Sequence, residues 1–150
     1  MKNIKYPIII IILLMISITI NAQILKGIDL GDYRCNINNY LKDSCISVER
    51  QNNNADYADF GDGLGMLLIY KDNILVFYNV QLLEEGADII FDYIYNRYGE
   101  PELSDDNFIW VLSDNMICSL FFCKDHYDCF VMNIDYRNYI CYELDKLKRG

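Results

Sequence analysis

The run from Leu83 to Tyr98 fixes one structural element almost unaided. Leu83, Ala87, Ile90, Phe91, Ile94 and Tyr98 recur at steps of three and four, while Glu84, Glu85, Asp88, Asp92 and Asn96 fall on the opposite side. That pattern is an amphipathic helix with one apolar stripe, which has to be buried against something. Its end is equally marked. Gly99 suits the left-handed residue after a last helical turn, Pro101 cannot continue a helix, and Arg97 sets a cation at the negative end of the dipole.

The surface that buries the stripe reads as antiparallel strands. Met66 to Tyr70 and Ile74 to Tyr78 flank Lys71-Asp72-Asn73, and Phe108 to Leu112 and Met116 to Phe122 flank Ser113-Asp114-Asn115. Asn tolerates the left-handed conformation that ends a three-residue hairpin loop, so the shared Asp-Asn has a physical reason. The repeated order of helix then hairpin points to two related halves. Lys124 to Asp128 then reads as a five-residue polar loop and Cys129 to Tyr136 as a further strand. Setting Cys123 opposite Cys129 pairs Phe122 with Phe130, Leu120 with Met132 and Cys118 with Ile134, an apolar face that Phe108, Trp110 and Leu112 extend.

Upstream, Asp32 suits the cap of a helix running to about Lys42 that buries Ile37, Tyr40 and Leu41, and Ile46 to Glu49 alternates as a short strand. Gln51 to Leu64, rich in Asp, Asn and Gly without a strand or helix period, reads as a loop. Ile140, Leu144 and Leu147 predict a closing helix. The expected fold is α+β: an antiparallel sheet of about five or six strands with helices packed on one face, arranged as two helix-plus-hairpin halves.

At 150 residues the chain is near the usual size of one domain. Residues 1–22 read as a signal peptide, with Lys2 and Lys5 before an apolar run from Ile8 to Ile20 and a small residue, Ala22, at the cleavage position. Thirteen helical residues reach only about 20 Å, short of the roughly 30 Å of a bilayer core, so a leader fits better than an anchor. Residues 23–150 are then one exported domain, periplasmic or extracellular, with no membrane association after the leader is removed.

Loss of Lys2 and Lys5 from the 13 basic residues leaves 11 against 22 acidic ones, a formal charge of −11. Such a balance argues against nucleic acid and anionic lipid and is compatible with a basic protein partner. The six cysteines, Cys35, Cys45, Cys118, Cys123, Cys129 and Cys141, permit disulfides in an exported chain. The assumed hairpin register favours a bond between Cys123 and Cys129.

Segments that could carry chemistry are few. Asp59-Phe60-Gly61 lacks the other kinase motifs, and Gly61, Gly63 and Gly65 follow no βαβ pattern, so no nucleotide cofactor is implied. Asp56, Asp59 and Asp62 have oxygens for calcium but not the spacing of a calcium loop, which leaves a solvated loop as the better reading. Cys123, His126 and Cys129 have zinc-ligand chemistry, yet they make three ligands where a structural site needs four, and a disulfide between Cys123 and Cys129, or two reduced thiols, is preferred. His126, the only histidine, has no Gly-x-Ser-x-Gly nucleophile to serve. No catalytic, metal or cofactor site is therefore expected.

Gly27-Ile28-Asp29-Leu30-Gly31 leading into a helix, then antiparallel strands, then a second helix closed by Tyr98-Gly99-Glu100-Pro101, resembles small exported bacterial domains of the β-lactamase-inhibitor-protein-like kind. The resemblance implies helix-plus-meander halves and a surface that binds a protein; it carries over no contact residues. The expected function is that of a non-enzymatic exported protein that binds another protein, inhibitor-like or as the immunity partner of a basic toxin. The expected contacts are Asp56, Asp59, Asp62, Glu85, Asp88 and Asp92. A structural component of the bacterial envelope is the alternative, and a small hydrolase a more distant one.

Overall fold

Two-residue turns set the strand count. Each hairpin closes through just two residues: Asn53-Asn54, Asp62-Gly63, Asp72-Asn73, Asp105-Asp106, Asp114-Asn115 and Lys124-Asp125. At Asp62-Gly63, Asp72-Asn73 and Asp105-Asp106 both residues have positive φ, the turn type whose twist matches that of paired strands. The computed structural model of the protein describes Leu25 and residues 27–150. The leader read from residues 1–22 lies outside these.

In chain order the elements are α1 (Arg34–Asp43), β1 (Ser47–Asn52), β2 (Ala55–Gly61), β3 (Leu64–Lys71), β4 (Ile74–Leu82), α2 (Glu84–Tyr98), β5 (Glu102–Ser104), β6 (Asn107–Ser113), β7 (Met116–Cys123) and β8 (His126–Asn133). A 3-10 turn (Ile134–Tyr136) leads into α3 (Arg137–Arg149). The strands form one antiparallel sheet in the order β1-β2-β3-β4-β8-β7-β6-β5. Each half is a helix followed by a four-stranded meander, and β4 meets β8 at the junction.

The α+β class holds, but the sheet has eight strands rather than five or six. Part of the difference lies in the segment from Gln51 to Leu64, which is the β1–β2 hairpin and the start of β3 instead of a loop. Its polar look comes from the turn residues and Asp56, while Ala55 and Ala58 are fully buried. Three exposed residues, Glu102–Ser104, add a short edge strand before the Asp105-Asp106 turn.

The helices do not share one face. Ile37 and Leu41 of α1 and Ala87, Ile90 and Ile94 of α2 pack over Met66, Leu68, Val80, Trp110, Cys118, Leu120, Cys129 and Val131. Ile140 of α3, with Leu144 and Leu147, packs on the reverse side against Ala55, Ile69, Phe77, Phe130 and Met132. Leu68 and Ile69 are neighbours pointing to opposite sides, as the strand pleat requires. The physical reason is register: Cys123 pairs with His126 and Leu120 with Cys129, three residues from the expected alignment. An odd shift turns a strand over, so Phe130 and Met132 leave the predicted face and need the second cover that α3 supplies. Buried Glu143 fastens that cover, accepting from Asn54 Nδ2 at 3.1 Å and from Lys146 Nζ at 3.3 Å.

Helix α2 ends as its sequence predicts, with Gly99 at φ 83° donating its N–H to Tyr95 O at 2.8 Å. Its buried stripe is narrower than predicted: Gly86, Ala87, Ile90 and Ile94 are buried, whereas Leu83 and Tyr98 at the two ends are exposed. Tyr33 rather than Asp32 is the N-cap of α1, and Asp32 Oδ2 instead accepts the Asp29 N–H at 2.9 Å.

The core beneath α2 holds two ionisable groups in their neutral forms. Burial pushes the Tyr78 phenol well above its ordinary range, and a hydrogen bond with Cys118 together with burial does the same for the Cys129 thiol. The folded chain therefore keeps both protons at pH values where the unfolded chain has lost them. That stabilisation is complete below the ordinary thiol and phenol values, about 8.5 and 10, and is lost as pH rises beyond them. Denaturant midpoints are expected to be level from pH 7 to about 8.5 and then to fall. The slope should be about 1.4 kcal/mol per pH unit for each group ionised only in the unfolded chain. Tyr78→Phe should flatten the decline above about pH 10.

Candidate functional site

Three regions bear on function, and the first removes a predicted contact. Asp56 is 2% exposed and forms an ion pair with Arg34 at the start of α1. Arg34 Nε donates to Asp56 Oδ2 at 2.8 Å, Nη2 to Asp56 Oδ1, and Nη1 to Asn53 O at 2.6 Å. Asn38 Nδ2 adds a longer bond to Asp56 at 3.4 Å, and the guanidinium lies 4.9 Å from the centre of the Tyr70 ring. The hydrogen-bonded carboxylate raises the Arg34 pKa further, and burial in the same region raises that of the Tyr70 phenol. Asp56 is thus engaged within the fold and does not face a partner. An open groove of about 910 Å³ runs beside this pair, lined among others by Tyr33, Lys42, Val48 and Arg50.

Asp59 and Asp62 are exposed, but they do not join Asp56 around a cation. Asp56 and Asp59 stand an odd number of residues apart on β2 and so point to opposite sides of the sheet, and Asp59 Oδ1 accepts the Gly61 N–H at 2.8 Å. Asp62 occupies a hairpin turn. The calcium reading of these three acids therefore fails on geometry.

The second region is the outer side of α2. Glu84, Glu85, Asp88 and Asp92 are all exposed, at the spacing that lines one side of a helix. None of them is ion-paired among the described residues, where the ion pairs are Arg34 with Asp56, His126 with Asp125 and Asp128, and Lys146 with Glu143. Glu84 and Glu85 in the first turn suit the positive end of the helix dipole, whereas Asp88 and Asp92 gain less from it.

The third region is the β7–β8 hairpin end. Cys123 lies directly opposite His126, and Asp128 follows two residues along β8 on the same side. His126 Nε2 is 3.2 Å from Asp128 Oδ2 and Nδ1 is 3.0 Å from Asp125 Oδ1. The hydrogen-bonded imidazole holds the Asp125 carboxyl below its usual range. Asn79 Nδ2 on neighbouring β4 donates to the other oxygen of Asp128 at 2.9 Å. Cys123, His126 and Asp128 are the one group of three metal-ligating side chains gathered among the described residues, with donor atoms within 4.8 Å of one another. Sequence alone suggests Cys129 as the third member, whereas the three-residue difference in register brings Asp128 to that position.

That register also separates Cys123 from Cys129, and the expected disulfide between them is not formed. Cys129 is buried with its Sγ 3.7 Å from that of Cys118, and all six cysteines are free thiols. Cys35, Cys45 and Cys141 are exposed. No described helix is long and apolar enough to cross a membrane. Comparison with protein-family models, with curated proteins and with solved structures finds no match.

Proposed function

We propose that the protein works by binding another protein with a basic surface, through the outer side of α2, as an inhibitor or an immunity protein does. The observation that carries this reading is the set of four exposed carboxylates, Glu84, Glu85, Asp88 and Asp92, with no cation of the chain's own paired to them among the described residues. Such a strip raises the local concentration of a cationic partner and steers its approach. The helix beneath it is anchored through Ala87, Ile90 and Ile94, so its acids are held on a rigid element rather than a loop. Two helix-plus-meander halves are the arrangement that a resemblance to inhibitor-like exported domains would imply, and the acidic composition supports the choice of partner. In this reading the protein acts outside the cytoplasm, and Asp59 and Asp62 contribute at most a second, smaller acidic contact.

The test compares capture by the native protein and by a triple variant, Glu85→Lys, Asp88→Lys and Asp92→Lys, from an extract of the source cell envelope. The native protein is expected to retain a basic protein whose binding weakens with salt, and the variant to lose it by roughly tenfold or more. Equal retention of the same partner by the variant overturns the proposal.

A further inference from the structure

We infer that the β7–β8 hairpin end is a binding site for a zinc-class divalent metal ion, with Cys123 Sγ, His126 Nε2 and a carboxylate oxygen of Asp128 as its three protein ligands. The inference is independent of the partner-binding role of α2. It starts from the turn. Lys124, at φ 58°, and Asp125 close the hairpin in two residues, which brings Cys123 and His126 into a directly opposed pair. The period of two then places Asp128 on the same side as His126. Three residues close in sequence thus point one sulfur, one nitrogen and one oxygen into the same space.

The distances suit a small ion. In tetrahedral coordination with bonds of about 2.0–2.3 Å, neighbouring donors stand roughly 3.3–3.8 Å apart. His126 Nε2 and Asp128 Oδ2 are already 3.2 Å apart, and the full set lies within 4.8 Å, so side-chain rotation of about an ångström completes the fit. The supporting contacts are also in place. Asp125 Oδ1 stands 3.0 Å from Nδ1, where it can accept the N–H of the tautomer whose Nε2 binds the ion. Asn79 fixes one oxygen of Asp128 and leaves the other free to coordinate. Ligating histidines and carboxylates are held in this manner, and such outer partners sharpen affinity.

The donor set selects the ion. A thiolate and an imidazole favour zinc and its neighbours over calcium and magnesium, which want oxygen. Three ligands leave a fourth position for water or for a group from a partner. Binding displaces the thiol proton of Cys123 to solvent, so uptake is accompanied by proton release.

The test uses the reduced protein and Co²⁺ as a spectroscopic stand-in for Zn²⁺. One Co²⁺ per chain is expected, with a thiolate-to-cobalt charge-transfer band in the near ultraviolet that Zn²⁺ displaces and Ca²⁺ or Mg²⁺ does not. Cys123→Ser should abolish the band, and His126→Asn and Asp128→Asn should each weaken Zn²⁺ binding by at least tenfold, while Cys141→Ser changes neither. Should a variant fail to fold, the native protein still decides the matter: Zn²⁺ is expected to slow alkylation of Cys123 and to leave Cys35 and Cys141 reacting at their former rates. Absence of a thiolate band, retention of that band in Cys123→Ser, or alkylation of Cys123 unchanged by Zn²⁺ would overturn the assignment.

Discussion

Replacing Asp56 by Ala should destabilise the protein by about 3–5 kcal/mol, a large share of the stability of a domain this size. The loss does not measure the strength of the ion pair. Arg34 is 8% exposed, and without Asp56 its guanidinium keeps bonds to Asn53 O and Ala55 O but has no counter-charge, so the cost is that of a buried, uncompensated cation. The double variant Arg34→Met with Asp56→Ala should therefore be more stable than Asp56→Ala alone, because it removes the stranded charge as well. Urea unfolding followed by Trp110 fluorescence, the one tryptophan signal, checks both. An Asp56→Ala variant within about 1 kcal/mol of the native protein would mean that water reaches Arg34 and that the pair is not the anchor of β2.

Trp110→Ala should cost a similar amount, about 3–5 kcal/mol, for a different reason. Trp110 is 2% exposed and packs edge-on to Phe91 of α2 at 5.4 Å, with Phe108 beside it at 6.2 Å. Its Nε1 donates to the carbonyl of Gly99 at 3.0 Å, which ties the end of α2 to the middle of β6. Truncation leaves a cavity and removes the donor to that carbonyl. Trp110→Phe keeps part of the ring contact but loses the Nε1 hydrogen bond and the volume of the second ring, and should cost less than Trp110→Ala, about 1–3 kcal/mol. Because both variants lack the fluorophore, far-ultraviolet circular dichroism is the measurement. Equal losses in the two variants would place the contribution of Trp110 in the hydrogen bond rather than in packing.

How far the sequence reveals this fold depends on whether a signal is local. The α2 stripe, its Gly99 ending, the closing helix and the strands on either side of each Asp-Asn turn are all properties of short windows, and each is present. The β1–β2 hairpin was hidden because Asp56 reads as a solvated acid until Arg34, 22 residues away, is known to neutralise it. Asp62-Gly63, a dipeptide that favours a two-residue hairpin turn, marks the turn from β2 into β3 and so points to β2 as a strand, though not to its pairing with β1. Reading Lys124 to Asp128 as a five-residue loop rather than a two-residue turn shifted β8 by three positions.

A five-residue loop, with Cys123 opposite Cys129, leaves one face of the sheet apolar for all the helices and puts Cys129 where Asp128 belongs in the hairpin-end cluster. Cys123 and His126 were legible as metal-ligand chemistry. Their third companion was not, because which residues share a side of a strand changes with every odd step in register. The exposed acids of α2 were legible in full, since a helix's outer side follows from its own period.

The proposed partner binding through α2 is tested most directly by placing a photo-crosslinking residue at position 88 and, in a separate protein, at exposed position 142 of α3, then irradiating each in intact source cells. A single basic protein is expected to be joined to position 88 and not to position 142. Adducts at position 142 with none at position 88 would contradict the proposed surface.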